Sequence, residues 1–329
     1  MFATLTMSAP TAATPAAFPT VLARSADDLR HAVRLSRHQT VHLDGRGLDR
    51  VLRLDAQSRR IEAQAATRWT ALAEALGREE HRAEALACGE ASPWPTLGEA
   101  IAAAAPGPDG APLGRHVLSF TIVLPDGELK RVDRETSRGL FDLVLGGQGC
   151  VGVLYSATLS VHSLLAAAAA PAAPEELAFA PMPGCPERIE LLLPPDRTEP
   201  FLADLRRQAE DRRICLAGVT ARRYVPGESG LLDWARREWA ALEVRYVLRP
   251  TLGAAVTRAE FRRGLVASAV GLGGSFWLAD AADASAEALL GCYPRLPAFL
   301  AEARRADPAE RLQTRWSREL REKLRARGS

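Results

Sequence analysis

The sequence predicts a mixed α+β chain of two domains, and three features point to it. An ordered series of turns, short helices and strands fills the stretch from Pro95 to Val161. An alanine-rich, proline-broken stretch from Leu164 to Gly184 reads as a linker. Beyond it, strand-like runs alternate with amphipathic helices. At 329 residues the chain is long enough to bury two cores.

Residues 1–20 carry no basic start and no continuous apolar core, so they read as a flexible tail rather than a signal peptide. Ser25 can cap a helix whose first turn holds Asp27 and Asp28, followed by Leu29, Ala32 and Val33. Val41 to Asp44 follows almost at once, and Gly45-Arg46-Gly47 reads as a turn, the default meaning of a glycine pair, with a displaced phosphate-binding loop as the alternative. Arg60 to Ala65 alternates as a short strand. Thr67-Arg68-Trp69-Thr70 then leads into a helix, Ala71 to Leu76, ended by Gly77, with the Trp69 indole placed in the core. His81 lies in a polar run and reads as solvated.

The central stretch opens on Thr96-Leu97-Gly98 and a helical run, Ala100 to Ala105. A Pro/Gly/Asp loop from Pro106 to Gly114 leads into a strand, His116 to Leu124, a Pro125-Asp126-Gly127 turn and a second strand, Leu129 to Val132. Leu140 to Leu145 is a short helix running into Gly146-Gly147-Gln148-Gly149, and Val151 to Val161 is the closing strand. Glycines at these two places let a backbone approach a bulky ligand and leave amide N–H groups for phosphate. Ordinary tight turns are the commoner cause of such glycines.

In the second half, Arg188 to Leu193, Ile214 to Val219 and Leu242 to Leu248 read as strands. Phe201 to Ala209 and Arg258 to Val270 read as helices, and Glu310 to Arg327 as a basic, solvated terminal helix. Trp234, Trp239 and Tyr246 read as core aromatics rather than pocket walls.

Composition excludes several function classes. Apolar content of 47% with 25% charged residues is that of a folded globular protein. A net charge of +2 gives no electrostatic footprint for nucleic acid. Nearly all the positive charge is arginine, since the only lysines are Lys130 and Lys323. The five cysteines (Cys88, Cys150, Cys185, Cys215, Cys292) are scattered, with no metal spacing, and imply a reduced, cytoplasmic setting. No apolar run approaches the roughly 20 residues of a membrane span.

The ordered series from Gly98 through Ala100-Ile101-Ala102, Gly114-Arg115-His116-Val117, Leu140-Phe141 and Gly146-Gly147-Gln148-Gly149-Cys150-Val151-Gly152 resembles the flavin domain of the vanillyl-alcohol oxidase, or PCMH-type, FAD superfamily. Within it the likeness is to the decaprenylphosphoryl-ribose oxidase family. A second likeness lies in Tyr293-Pro294-Arg295-Leu296 and Asp307-Pro308. The resemblance implies a two-domain PCMH-type flavin-binding scaffold with a trimmed α+β cap domain. The flavin domain would cover 21–163, the linker 164–184, the cap 185–274, and a segment from 275 to 329 would return to the flavin domain.

The same resemblance implies FAD, contacted by Gly98, Ala100, Ile101, Gly114, His116, Val117, Gly147, Gly149, Gly152 and Val153, and no metal. Its substrates would be sugars or lipid-linked sugars, and its location cytoplasmic or peripheral to the inner membrane. Four departures count against tight binding. The family's phosphate loop between the first helix and Val41 is missing. Glu99 replaces the second glycine of a pair. Pro106 stands at the tethering histidine, so any FAD would be non-covalent. Asp280 replaces a lysine beside the flavin. The sequence therefore describes an FAD-dependent oxidoreductase relative that holds its cofactor weakly or not at all, with no assigned catalytic residue. The alternative is a non-catalytic partner or regulatory subunit of an active flavoenzyme, and a third class is a small-molecule or lipid-binding module using the flavin cleft.

Overall fold

The computed structural model describes residues 5–7, 19–77, 94–168, 175–178 and 184–327. His81 and Cys88 lie outside them. The chain divides into two compact units: Met1–Pro171 with Glu228–Asp233 and Arg295–Glu322, and Ala172–Gly227 with Trp234–Pro294 and Lys323–Ser329. Among the described residues no helix is long and apolar enough to cross a membrane.

The first unit holds β1 (Leu5–Met7), β2 (Thr20–Leu22), β3 (Val41–Asp44), β4 (Val51–Asp55), β5 (Arg60–Gln64), β6 (Val117–Val123), β7 (Leu129–Asp133) and β8 (Val153–Ser160). One sheet is parallel, ordered Leu312–Thr314, β1, β3, β2. The other is antiparallel, ordered β4-β5-β8-β6-β7. The Ala26–Leu35 helix forms as its cap predicts: Ser25 Oγ accepts from the Asp28 N–H at 3.2 Å, and Asp28 returns the bond to the Ser25 N–H at 3.0 Å. Its apolar face, Leu29, Ala32 and Val33, packs with Val41, Leu43, Leu48, Val123 and Val153 into one core. Residues 36–40 join this helix to β3 through a tight turn, with Arg37, His38 and Gln39 amides donating to Arg34 and Leu35 carbonyls.

The second unit is an antiparallel sheet of β9 (Glu175–Ala178), β10 (Cys185–Leu193), β11 (Cys215–Tyr224), β12 (Trp239–Leu248) and β13 (Ser275–Phe276), ordered β13-β10-β12-β11-β9. Helices Thr198–Asp211 and Ala254–Gly271 accompany it, burying Phe201, Leu205, Phe261 and Leu265. Trp234, Trp239 and Tyr246 are buried here, as Trp69 is in the first unit.

Four expectations are corrected. Leu5–Met7 is a strand, not flexible tail, because β3 and Leu312–Thr314 flank it on both sides. The expected linker contains the Val161–Ala168 helix, which buries Leu164 and Leu165, and the edge strand β9; its residues 169–174 and 179–183 lie outside the described ones. The return to the first unit starts at Arg295 rather than Ser275, since Ser275 and Phe276 pair with Leu192 and Leu191 of β10. The terminal helix begins at Arg315, after the Leu312–Thr314 strand.

Candidate functional site

The first unit encloses a cavity of about 390 Å³, within the range of roughly 300–1,000 Å³ for ligand sites. Three walls form it: the turn after β3, the N-terminal part of the Leu97–Ala103 helix with Ala65 and Ala66, and the glycine turn running into β8. The lining is mostly apolar, with Leu29, Leu43, Leu48, Ile101, Val144 and Val153 among its side chains.

Six of the residues singled out from sequence line it together: Gly98, Ile101, Gly147, Gly149, Gly152 and Val153. Four do not. Ala100 turns into the core. Gly114 packs under Leu145, and its carbonyl accepts from Arg134 Nη2 at 2.6 Å. Val117 pairs with Leu159 across the sheet. His116 is fully buried, its Nδ1 3.0 Å from Ser163 Oγ. Ser163 donates to the Ser160 carbonyl, so His116 Nδ1–H is the donor and Nε2 has no hydrogen-bond partner in the structure. Burial lowers the His116 pKa to about 4, keeping the ring neutral.

Gly98 and Glu99 do different work from that expected. A Cβ on Gly98 would lie 2.8 Å from the Ala65 carbonyl oxygen, and the Gly98 N–H already donates to that oxygen at 2.7 Å. Gly98 therefore lets a helix press onto the chain after β5, and its amide is occupied. Gly146 and Gly149 have φ of +75° and +73°, the left-handed conformation that glycine adopts freely. Glu99 closes a capping box: its Oε2 accepts from the Thr96 N–H at 3.2 Å and the Thr96 hydroxyl at 2.9 Å. The helix N-terminus facing the cavity is thus satisfied internally.

Two further departures are relocated. Pro106 is outside the cavity lining, in a bridge with Pro112. Asp280 belongs to the second unit, where Arg262 Nη2 meets it at 2.5 Å and the same guanidinium meets Asp283 at 2.7 Å. It is not among the residues that line the cavity. Burial raises the Asp280 pKa to about 6, with Arg262 opposing that rise.

Sequence reading missed Asp44, Cys150 and Thr314 in the cavity wall, and ranked Gly45 and Arg46 as a plain turn ahead of a phosphate-binding one. The Gly45-Arg46 turn is a turn, with the Leu48 N–H donating to the Gly45 carbonyl at 3.0 Å, and it is cavity wall as well. Cys150 is buried and its thiol is pushed up to about 12 by desolvation, so it stays protonated and unreactive. Thr314 reaches the wall from the far end of the chain, a placement no local pattern encodes.

The residues present fit a flavin in part by their chemistry. Apolar walls suit a planar ring system. For the anionic end, the cavity offers the Arg46 guanidinium, and Gly45 leaves open space where a Cβ would meet nothing within 4 Å.

Residues 21–133 match the FAD binding domain family. Two crystal forms of alkyldihydroxyacetonephosphate synthase share the fold. One has a TM-score of 0.56 at 10% identity over 90% of this chain and 75% of that one. The other has 0.55 at 11% over 89% and 76%. Compared by sequence with curated proteins, the chain matches none. The architecture is α+β with a PCMH-type FAD-binding fold.

Proposed function

We propose that the protein is an FAD-binding oxidoreductase relative that holds flavin non-covalently, and weakly, in the cavity beside β3 and β8. The observation that supports this is the occupied state of the helix N-terminus at that cavity. Glu99 takes the Thr96 amide and Ala65 takes the Gly98 amide, so neither is free for phosphate. Amide donors at such a helix start are the usual source of dinucleotide affinity. Residues 36–40 form a compact turn where the resemblance places a phosphate loop. Ring burial against Leu29, Leu43 and Val153 then supplies most of the affinity.

Bound flavin would supply hydride acceptance. The chain's own contribution at this site is to bury the ring, exclude water and hold the anionic end. Sugars or lipid-linked sugars are the proposed substrate class, on the resemblance alone. Purified protein titrated with FAD should show reversible binding that gel filtration strips, leaving a colourless chain. Stoichiometric yellow protein that survives gel filtration and is bleached by a sugar substrate would overturn the weak-binding proposal.

A further inference from the structure

We propose that Arg46 is the anion contact of this cavity, receiving the phosphate end of a bound nucleotide from the turn after β3. The inference rests on the flavin reading and extends it to one named residue. Among the described residues lining the cavity, Arg46 is the one cation. Its side chain is 69% exposed and held by Asp44 two residues back, through Nε at 3.0 Å and Nη2 at 2.6 Å.

An exposed carboxylate–guanidinium pair is weak enough to be shared or exchanged, and a phosphate offers the same fork to a guanidinium with more negative charge. The turn itself is fixed, since Leu48 donates to Gly45 and the Arg46 N–H donates to Asp44 Oδ1 at 3.0 Å. Arg46 is therefore presented on a rigid wall. Gly45, beside it, has neither a left-handed φ nor a protein neighbour within 4 Å of a built Cβ. The fold does not itself require glycine there, whereas a ligand approaching the backbone does.

The donors at the two helix starts near the cavity are taken. The Gly98 and Thr96 amides are committed, as described, and the Ala100 N–H donates to the Thr96 carbonyl at 3.1 Å. At the Ala26–Leu35 helix start, Asp28 Oδ2 already accepts from the Arg24 and Ser25 amides. An anion entering the cavity meets two carboxylates, Asp44 and Glu99, and one cation. Arg46 must leave Asp44 or share it.

The test compares riboflavin, which has no phosphate, with FMN and FAD on the full chain by fluorescence titration. Native protein should bind FAD and FMN about tenfold or more tightly than riboflavin, the worth of one charge-assisted contact. Arg46→Ala should shrink that preference to within about threefold while leaving riboflavin affinity unchanged, which also shows the cavity is intact. Asp44→Asn should widen the preference. Riboflavin binding with no preference for FAD in the native protein, or an Arg46→Ala preference equal to the native one, would overturn the Arg46 assignment and leave the flavin reading standing. Failure of all three flavins to bind would overturn both.

Discussion

The two units handle charge in opposite ways. In the second unit carboxylates are buried or half-buried, and met. Glu190 accepts from Trp277 Nε1 at 2.8 Å and Tyr224 Oη at 3.1 Å, with Arg222 3.5 Å away. Arg262 holds Asp280 and Asp283 at once, and Lys323 Nζ donates to the Ala281, Ala282 and Ala284 carbonyls behind them. In the first unit the cavity is walled by aliphatic side chains, and its charges, Asp44, Arg46 and Glu99, belong to the turn and helix start at its edge. Charge committed inside a core fixes structure. Charge left beside a cavity remains able to change partners.

The sharpest way to break that contrast is Arg262→Ala. Removing one member of this half-buried ionic cluster strands the others, at about 3 kcal/mol. The loss should appear as a lower urea midpoint and faster hydrogen exchange in the Ala254–Gly271 helix. A loss under about 1 kcal/mol would mean that the cluster behaves as a surface pair and that the contrast is false. Asp280→Lys should also destabilise the second unit, since it sets a cation against Arg262, and should not change flavin affinity.

Acidification should act on the two units in opposite directions. His116 has its pKa lowered from 6.5 to about 4, so its contribution is full above pH 6.5 and lost as pH falls toward 4, up to about 3 kcal/mol. Asp280 has its pKa raised from 3.8 to about 6, so its contribution is full below pH 3.8 and lost as pH rises through 6. Between pH 6.5 and 4.5 the first unit should loosen and the second tighten. Hydrogen exchange of β6 and of the Ala254–Gly271 helix, corrected for intrinsic rates, reads both. His116→Gln should flatten the first trend and Asp280→Asn the second. Parallel trends in native protein would count against the assignment of either group.

Much of the fold was legible because its signals are local. Ser25 announces a capped helix with an acidic first turn, Trp69 leads into a helix as a core side chain, and Pro125-Asp126-Gly127 turns one strand into the next. The strands Leu5–Met7, Ser275–Phe276 and Leu312–Thr314 were not, because their partners are remote in sequence and each is too short to show a period. The candidate site was half legible. Glycines mark close approach, but nothing in Gly98 says whether the approaching group is a ligand or the Ala65 carbonyl. His116 sits beside Gly114 in sequence, yet a short helical turn aims it inward at Ser163. Asp280 looked like a misplaced charge because its compensating cation, Arg262, lies on a helix 18 residues earlier.

The smallest effect is the most specific. Glu99→Gln keeps the capping box, because a glutamine oxygen at the same helix position can still accept from Thr96. It removes only the negative charge, with a stability change of a few tenths of a kcal/mol from the lost helix-dipole interaction. Glu99 is exposed, so the repulsion it exerts on a phosphate is screened and its removal should tighten FAD about two- to fivefold. Riboflavin has no phosphate and should be unaffected. Raising the salt should erase the difference between native and variant, since screening removes the same repulsion. Glu99→Ala, by contrast, should cost about 1 kcal/mol of stability through the broken cap and blur the readout. Equal tightening of FAD and riboflavin in Glu99→Gln would show that the side chain acts by shape rather than charge, and the cavity edge would then be no more electrostatic than its walls.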